Sequence, residues 1–511
     1  MSSNANTVSG GESHATGRTM FPALVGQKLP WDVLLHILPQ LDQTSEQFCL
    51  LVTCRTLYQH GIRVVLGGEL SFSFAEPDQL LSFCNFVVGD ALRGSYVRHL
   101  ELDDDMLRRE RHGFFWYPDR ILLLATTLRQ CTNLHTLHVP RAEVVFSFEA
   151  LASALLSLKK LKVVDFGEIN SRHDAEQPLM QMRFPLTSVA LRYDLNIQEN
   201  PLTDPLLIVW NFRSTLTNLT IYFPRILGIL SSPTNRFEHI HTLEVYASQD
   251  HDIQDMDFPV FAAAFPNLEV FKWGPHLDHC DMDPAKAEAM HQRFVPVLGD
   301  DGRRPPVAWP SLKRLVCPAS RAYSMPNMAS AIQLWEGAVV KNERGVEHLR
   351  SSLQELTPES LELAFWLCGP GRRHGMQSYL DVFPEVQVPN LHMTFMAIQC
   401  DPDMSGFVKD VQSLRPRLVD VKFCSNREAA LTGLHGLDVE AYAAEMFRSP
   451  ELELAILRFP HGEHSDAVFQ RIPDATGNNL EGGYKRLDGE RAFDVMAETE
   501  SQLSTRTRPF R

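Results

Sequence analysis

Four stretches of this chain carry residue types that can do chemistry. His276-Leu-Asp-His279-Cys280-Asp281-Met-Asp283 gathers two imidazoles, a thiol and three carboxylates within eight residues. Such groups bind zinc, but a structural site needs four converging ligands, usually from two paired clusters. No partner cluster stands elsewhere, so the stretch reads as a loop. His461-Gly-Glu-His464-Ser-Asp466 reads the same way. Gly369-Pro-Gly371-Arg-Arg-His-Gly375 invites comparison with a phosphate-cradling loop. Its last spacing is one residue too long, and Pro370 removes an N–H that a cradle would use. Asp103-Asp104-Asp105, followed by Arg108, Arg109 and Arg111, offers carboxylates for acid–base work. Three adjacent acids beside a basic run read instead as a solvated strand end. Neither a nucleophile-elbow motif nor a Walker-type phosphate loop occurs. The expectation is a chain that is not an enzyme, with no metal and no cofactor.

Composition narrows the alternatives. The chain has 511 residues, 44% hydrophobic and 22% charged, with a net charge of −15. A length above ~250–300 residues normally means several domains, unless the chain is a repeat array that grows without splitting. The negative charge argues against nucleic-acid partners and anionic membranes, both of which want a basic face. Nine scattered cysteines without a C-x-x-C suggest neither disulfides nor a zinc ribbon. Residues 1–25 are polar and rich in Ser, Gly and Asn, and read as disordered. They lack the apolar stretch of a secretory signal. No run of about 18 apolar residues could span a bilayer. A cytoplasmic or nuclear location is expected.

Two kinds of element must position whatever this chain does. In residues 26–65, Pro30 can open a helix, and Val33, Leu34, Ile37, Leu38 and Leu41 recur at helical spacing. Asp42 to Ser45 offers caps for a second helix carrying Phe48, Leu50, Leu51, Cys54, Leu57 and Tyr58, with Gly61 as its stop. Residues 29–61 thus read as a compact helical hairpin or trio, too small to bury much core, so that it leans on a neighbour or a partner.

Beyond it, through residue 460, one phrase recurs: apolar-x-x-apolar-x-apolar. It begins at Val97, Leu134, Leu161, Leu186, Leu216, Ile240, Leu268, Leu312 and Leu418, with weaker versions at Leu361, Met393 and Leu452. From Leu134 to Leu268 the steps are 27, 25, 30, 24 and 28; the next is 44. That is the ~20–29-residue period range of leucine-rich repeats, interrupted by insertions. Pro or Asn often precedes the phrase, as in Pro266-Asn267-Leu268 and Pro389-Asn390-Leu391, and would turn a helix into a strand. The expected fold is α/β: a small all-α module, then an irregular leucine-rich-repeat solenoid with a parallel, concave sheet. Residues 461–511 read as a polar tail with one helix near 491–498.

Side chains alternate along a strand, so residues between the apolar ones face outward. This places Glu101, His138, Asp165, Thr220, Glu244 and Lys272, and then Arg192, Tyr222 and Tyr246, on the open face. Tyr and Arg dominate interface hot spots. Arg192, Tyr222, Tyr246, Glu244, Lys272 and His138 are therefore the candidates for contacting a partner protein.

The segment from Leu29-Pro30-Trp31-Asp32-Val33-Leu34 to Leu41 resembles the opening of an F-box, and Leu51-Val52-Thr53-Cys54-Arg55-Thr56-Leu57-Tyr58 resembles its ending. Asp32 stands for the usual acidic residue, and Leu57 or Tyr58 replaces the usual Trp. The resemblance implies a substrate receptor of an SCF-type (Skp–cullin–F-box) ubiquitin ligase, acting in ubiquitin-dependent protein degradation. Leu29, Pro30, Val33, Ile37, Leu38, Leu41, Leu51, Val52, Cys54 and Leu57 would dock the Skp-type adaptor, and through it a cullin scaffold. The repeat face would hold a protein substrate. The alternative is a non-ligase repeat scaffold whose first helices only cap the solenoid.

Overall fold

The recurring phrase becomes a strand at each repeat. The computed structural model describes residues 30–41, 44–73, 77–103, 117–139, 145–169, 180–193, 205–223, 236–247, 258–275, 282, 284–294, 308–325, 328, 332–340, 343–367, 386–397, 408, 411–425, 438–459, 466–472 and 483–507. It divides into two compact units at Gly68/Glu69.

The first unit is helical: α1 Trp31–Ile37 with a 3-10 turn Leu38–Gln40, α2 Thr44–Leu51 and α3 Arg55–Leu66. Of the hairpin and the trio that the sequence allows, the chain forms the trio, with a break at Cys54. There the chain is extended and the Sγ accepts the Leu57 N–H at 3.3 Å, which caps α3. Gly61 lies inside α3 rather than ending a helix. Its lack of a side chain is what lets the elements meet. A Cβ there would collide with Leu51 and sit 3.2 Å from Leu35 and 3.3 Å from Leu38.

The second unit is an α/β solenoid. Its described strands are β1 Glu69–Ser73, β2 His99–Asp103, β3 Thr136–Val139, β4 Val163–Ile169, β5 Ser188–Tyr193, β6 Asn218–Phe223, β7 Thr242–Ala247 and β8 Val270–Pro275. They continue with β9 Arg314–Val316, β10 Leu334–Val340, β11 Ser360–Leu367, β12 Asn390–Ala397, β13 Leu418–Ser425, β14 Leu454–Arg458, β15 Ala467–Arg471 and β16 Tyr484–Leu487. All sixteen lie in one sheet in strict chain order. Pairing is parallel from β1 to β14 and antiparallel for β14–β15 and β15–β16. Helices such as Pro118–Gln130, Glu149–Leu156 and Glu343–Leu356 fall between strands.

The first apolar position of each regular phrase is buried: Leu134, Leu161, Leu186, Leu216, Ile240, Leu268 and Leu312 are all at most 2% exposed. Entry to each strand is stitched to the previous repeat. One carbonyl there takes two N–H groups, as when Thr187 O accepts Thr217 and Asn218, and Thr217 O accepts His241 and Thr242. The Asn of the turns adds a third bond: Asn133 donates to Ser95 O at 2.6 Å and Asn267 to Glu238 O at 2.8 Å.

Three expectations need correction. The phrase at Leu418 is displaced by two residues: Leu418 pairs with Asn390, while Val419 and Val421 are the buried pair. The phrase at Leu452 is displaced by an odd number, which turns Leu454 to the other face from buried Ala455; a slip of two also moves the core pair of β12 to Leu391 and Met393. A slip of two preserves which face each residue takes, so alternation alone cannot reveal it. The expected wholly parallel sheet ends in two antiparallel strands. Residues 461–511, expected as a tail, supply β15, β16 and the helix Glu490–Thr507. That helix lies on the open face at the end of the sheet, where Ala492, Val495 and Met496 pack with Ile456, Val468 and Leu487.

Candidate functional site

Strand register brings the open-face candidates into two adjacent rows. Glu101, His138, Asp165, Ala190, Thr220, Glu244 and Lys272 stand opposite one another along β2 to β8. Arg192, Tyr222, Tyr246 and Gly274 form the next row. All six residues expected to contact a partner therefore share one surface, and they bind one another.

Asp165 is the first hub. Its Oδ2 accepts from His138 Nδ1 at 2.8 Å and from Arg192 Nη2 at 2.9 Å. The Arg192 guanidinium then lies 4.8 Å over the Tyr222 ring. Tyr222 stacks on Tyr246 with centroids 4.4 Å apart and planes within 7°. The Tyr246 hydroxyl donates to Glu244 at 3.2 Å, and Lys272 Nζ meets the other Glu244 oxygen at 2.5 Å. Burial pushes both phenols above their ordinary range, helped in Tyr246 by the Glu244 charge. Both therefore keep their protons at neutral pH, and the Tyr246 hydroxyl serves as a hydrogen-bond donor.

The hydrogen bond to Asp165 raises the His138 pKa, outweighing burial, which works the other way. A raised imidazole contributes stability that is fully present below the ordinary value of 6.5 and is lost as pH rises through the folded value. His138 should therefore titrate above 6.5 by NMR, and Asp165→Asn should bring the midpoint down. A wild-type midpoint at or below 6.5 would refute the coupling.

A second network, not singled out in the sequence, occupies the open face further along. Arg314 Nη2 donates to Glu336 Oε2 at 2.7 Å, with both side chains nearly buried. The strand carrying Glu336 has an irregular register between Trp335 and Ala338, with Gly337 at φ 71°. Glu362 follows. Burial, then the Glu336 charge, lifts its carboxyl above the usual range. His392 stands 3.6 Å from Asp420, which takes both Arg458 Nε at 2.9 Å and Nη2 at 3.0 Å. Burial works to raise the Asp420 pKa, but the His392 and Arg458 interactions outweigh it and hold it low. Arg458 also pairs with Glu500 of the last helix. The signal was present in Leu361-Glu362-Leu363, but insertions hide which repeats adjoin.

In the helical unit the expected docking residues divide. Leu38, Leu51 and Leu57 are fully buried and cannot dock anything. Two short helices turn too few times for spacing to show which apolar residues face inward. Val33, Ile37 and Val52 are exposed at 38%, 38% and 72%, as is Trp31 at 47%. Pro30 and Cys54 are exposed and Leu41 is half-buried; Leu29 lies outside the described residues. Leu34, Ile37, Leu41, Cys49 and Leu50 line an open groove of about 550 Å³, with Glu46 and Thr53 at its polar points.

The clusters 276–281, 369–375 and 104–111 lie outside the described residues, as does 461–464. Among the described residues no group of three or more His, Cys, Asp or Glu could hold a metal ion. No described helix is long and apolar enough to cross a membrane. Burial pushes the thiols of Cys84 and Cys131 up to about 11 and about 12, so they are inert packing groups.

No protein-family model matches the chain, and no curated protein matches it in sequence. A solved structure that aligns with it is the leucine-rich repeat-containing protein LegL7 from Legionella pneumophila, at 10% identity and a TM-score of 0.32, covering 74% of this chain and 97% of that one. At that score the likeness carries no argument, and the solenoid rests on the sheet itself.

Proposed function

We propose that the chain is a protein-binding repeat scaffold that serves as the substrate receptor of an SCF-type ubiquitin ligase. The observation that carries the finer part is the uncovered apolar edge of the helical unit. Trp31, Val33, Ile37 and Val52 are exposed, and Ile37 also lines an apolar groove, on the very segments that resemble an F-box. An exposed patch of this kind, rimmed by polar groups, is what a docking surface needs. The Skp-type adaptor is its proposed occupant, linking the chain to a cullin. The open face of the sheet, with its stacked tyrosines and paired charges, is proposed to hold the substrate. The chain supplies no nucleophile in this reading. It raises the effective concentration of substrate near the ubiquitin-charged partner.

The test is capture of a purified Skp-type adaptor by the full chain. Val33→Asp with Ile37→Asp should abolish capture, and a circular-dichroism spectrum like that of the wild type shows that the loss is not unfolding; Val52→Asp, at 72% exposure, gives the same readout with the least risk to the unit. Substitutions at Leu38 or Leu51 would not serve, since they damage the unit's own core. A folded wild type that captures no Skp-type adaptor would remove the ligase reading and leave the scaffold reading.

A further inference from the structure

The stitch that ties each strand entry to the previous repeat loosens at two neighbouring junctions. Elsewhere from β2 to β14 one carbonyl takes two successive N–H groups of the next repeat, as Lys313 O takes Gln333 and Leu334 and Pro389 O takes Arg417 and Leu418. Between β10 and β11 the two bonds separate. Ser360 N–H stays on Gln333 O at 3.0 Å, while Glu359 N–H bonds Ile332 O at 2.9 Å. This break follows a distorted turn: the helix Glu343–Leu356 ends at Thr357, whose φ of 37° is a region that β-branched residues avoid, and Pro358 comes next. Between β11 and β12 one donor is missing, because Pro389 has no N–H, and of the two expected bonds only that from Asn390 N–H to Glu359 O is made. An open groove of about 480 Å³ lies across these junctions. Its apolar lining is Leu312 and Ile332, at most 3% exposed, with Pro310, Pro358 and Pro389. Exposed Ser311, Gln333 and Gln387 also line it, and their side chains make no hydrogen bond to another described residue. Its two charges are of opposite sign, Glu359 and Lys313, and Lys313 Nζ already meets Glu269 at 2.7 Å.

We propose that this groove binds an extended, uncharged peptide segment of a partner protein. The uncommitted polar groups of the lining are neutral, one hydroxyl and two carboxamides, and each both donates and accepts. A peptide unit offers one donor and one acceptor, which a carboxamide answers together. Gln333 and Gln387 stand at the entries of β10 and β12, two strand spacings or about 10 Å apart. Three residues of extended chain span about the same distance, so both carboxamides can engage one segment while an apolar side chain meets Leu312 and Ile332. A charged ligand would meet a rim whose two charges offset each other. The inference needs neither the open face nor the adaptor surface.

A random peptide library displayed on phage, panned on the full chain after subtraction on Ser311→Trp, tests it, because the indole fills the groove. Retained peptides should be poor in charged residues. They should bind Gln333→Ala with Gln387→Ala roughly tenfold more weakly than wild type, the loss expected for two hydrogen bonds. Tyr246→Leu, on the open face, should leave their affinity unchanged. All three groove positions are exposed, and a circular-dichroism spectrum like that of the wild type shows that each variant is folded. If Ser311→Trp is not, the double alanine variant replaces it in the subtraction. No peptide surviving subtraction, survivors dominated by acidic or basic residues, or equal affinity for wild type and the double variant would overturn the groove. A loss at Tyr246→Leu would overturn it too, by placing the peptide on the open face. None of these outcomes bears on capture of the Skp-type adaptor.

Discussion

Trp309→Ala should cost about 3–5 kcal/mol, the range for truncating a buried large aromatic. Trp309 is fully buried. Its ring lies 5.3 Å from Phe258, 6.1 Å from Phe261 and 4.9 Å from Phe271, the first two edge-on. Two consecutive repeats thus share one aromatic cluster. Deletion of the indole leaves a cavity that rings fixed on the helix Phe258–Ala264 and on β8 cannot close together. The loss should also be local, because a repeat array is stabilised by nearest-neighbour interfaces. Hydrogen exchange should show β8, β9 and β10 opening while β11 to β13 keep their protection. Trp309→Phe should cost much less, since the indole N–H is buried without a partner among the described residues and phenylalanine removes that deficit. A denaturation midpoint for Trp309→Ala close to wild type would contradict the shared cluster.

The second large effect is at Arg314. Arg314→Met should destabilise the chain by about 3–5 kcal/mol, because it leaves the Glu336 carboxylate buried without its pair. The neighbouring Glu362, whose carboxyl burial and the Glu336 charge already raise, makes an unpaired charge there costlier still. The double variant Arg314→Met with Glu336→Leu should recover most of the loss. Exchanging both members of a buried pair for apolar groups is often neutral or better. Urea unfolding of the wild type, both single variants and the double variant gives the coupling directly. Additive losses, with no recovery in the double variant, would show that the two side chains do not act as a pair.

Much of this was legible in the residues. Leu134 through Leu268 mark the regular repeats because the period and the alternation agree, and both follow from how strands stack. The same alternation put His138, Asp165, Glu244 and Lys272 in one row and Arg192, Tyr222 and Tyr246 in the next. Their mutual bonds were not legible, because register decides which side chains face one another across strands some 25 to 30 residues apart in sequence. The Arg314-to-Arg458 network escaped for a related reason: insertions break the period just where those strands begin. The last segment misled through composition. Tyr484–Leu487 contributes only Leu487 to the interior, so its residues read as solvent-facing. In the helical unit the helices were readable, but the division of Ile37 outside from Leu38 inside is set by contacts that meet at Gly61.

Strict chain order in the sheet has a consequence for the protein while it is being made. Each strand pairs with the one synthesised before it, so a nascent chain can add repeats as they leave the ribosome. At every stage, however, the newest strand is an open parallel edge with unpaired N–H and C=O groups, a template for any other extended chain. Among the described residues the edge becomes antiparallel when β15 reverses direction, and β16 then guards it with exposed Lys485 and Arg486. A chain interrupted after Arg458 would keep β14 as its edge and leave Ile456 without its covering helix. Such a fragment should self-associate, so the segment after Arg458 governs solubility as much as stability.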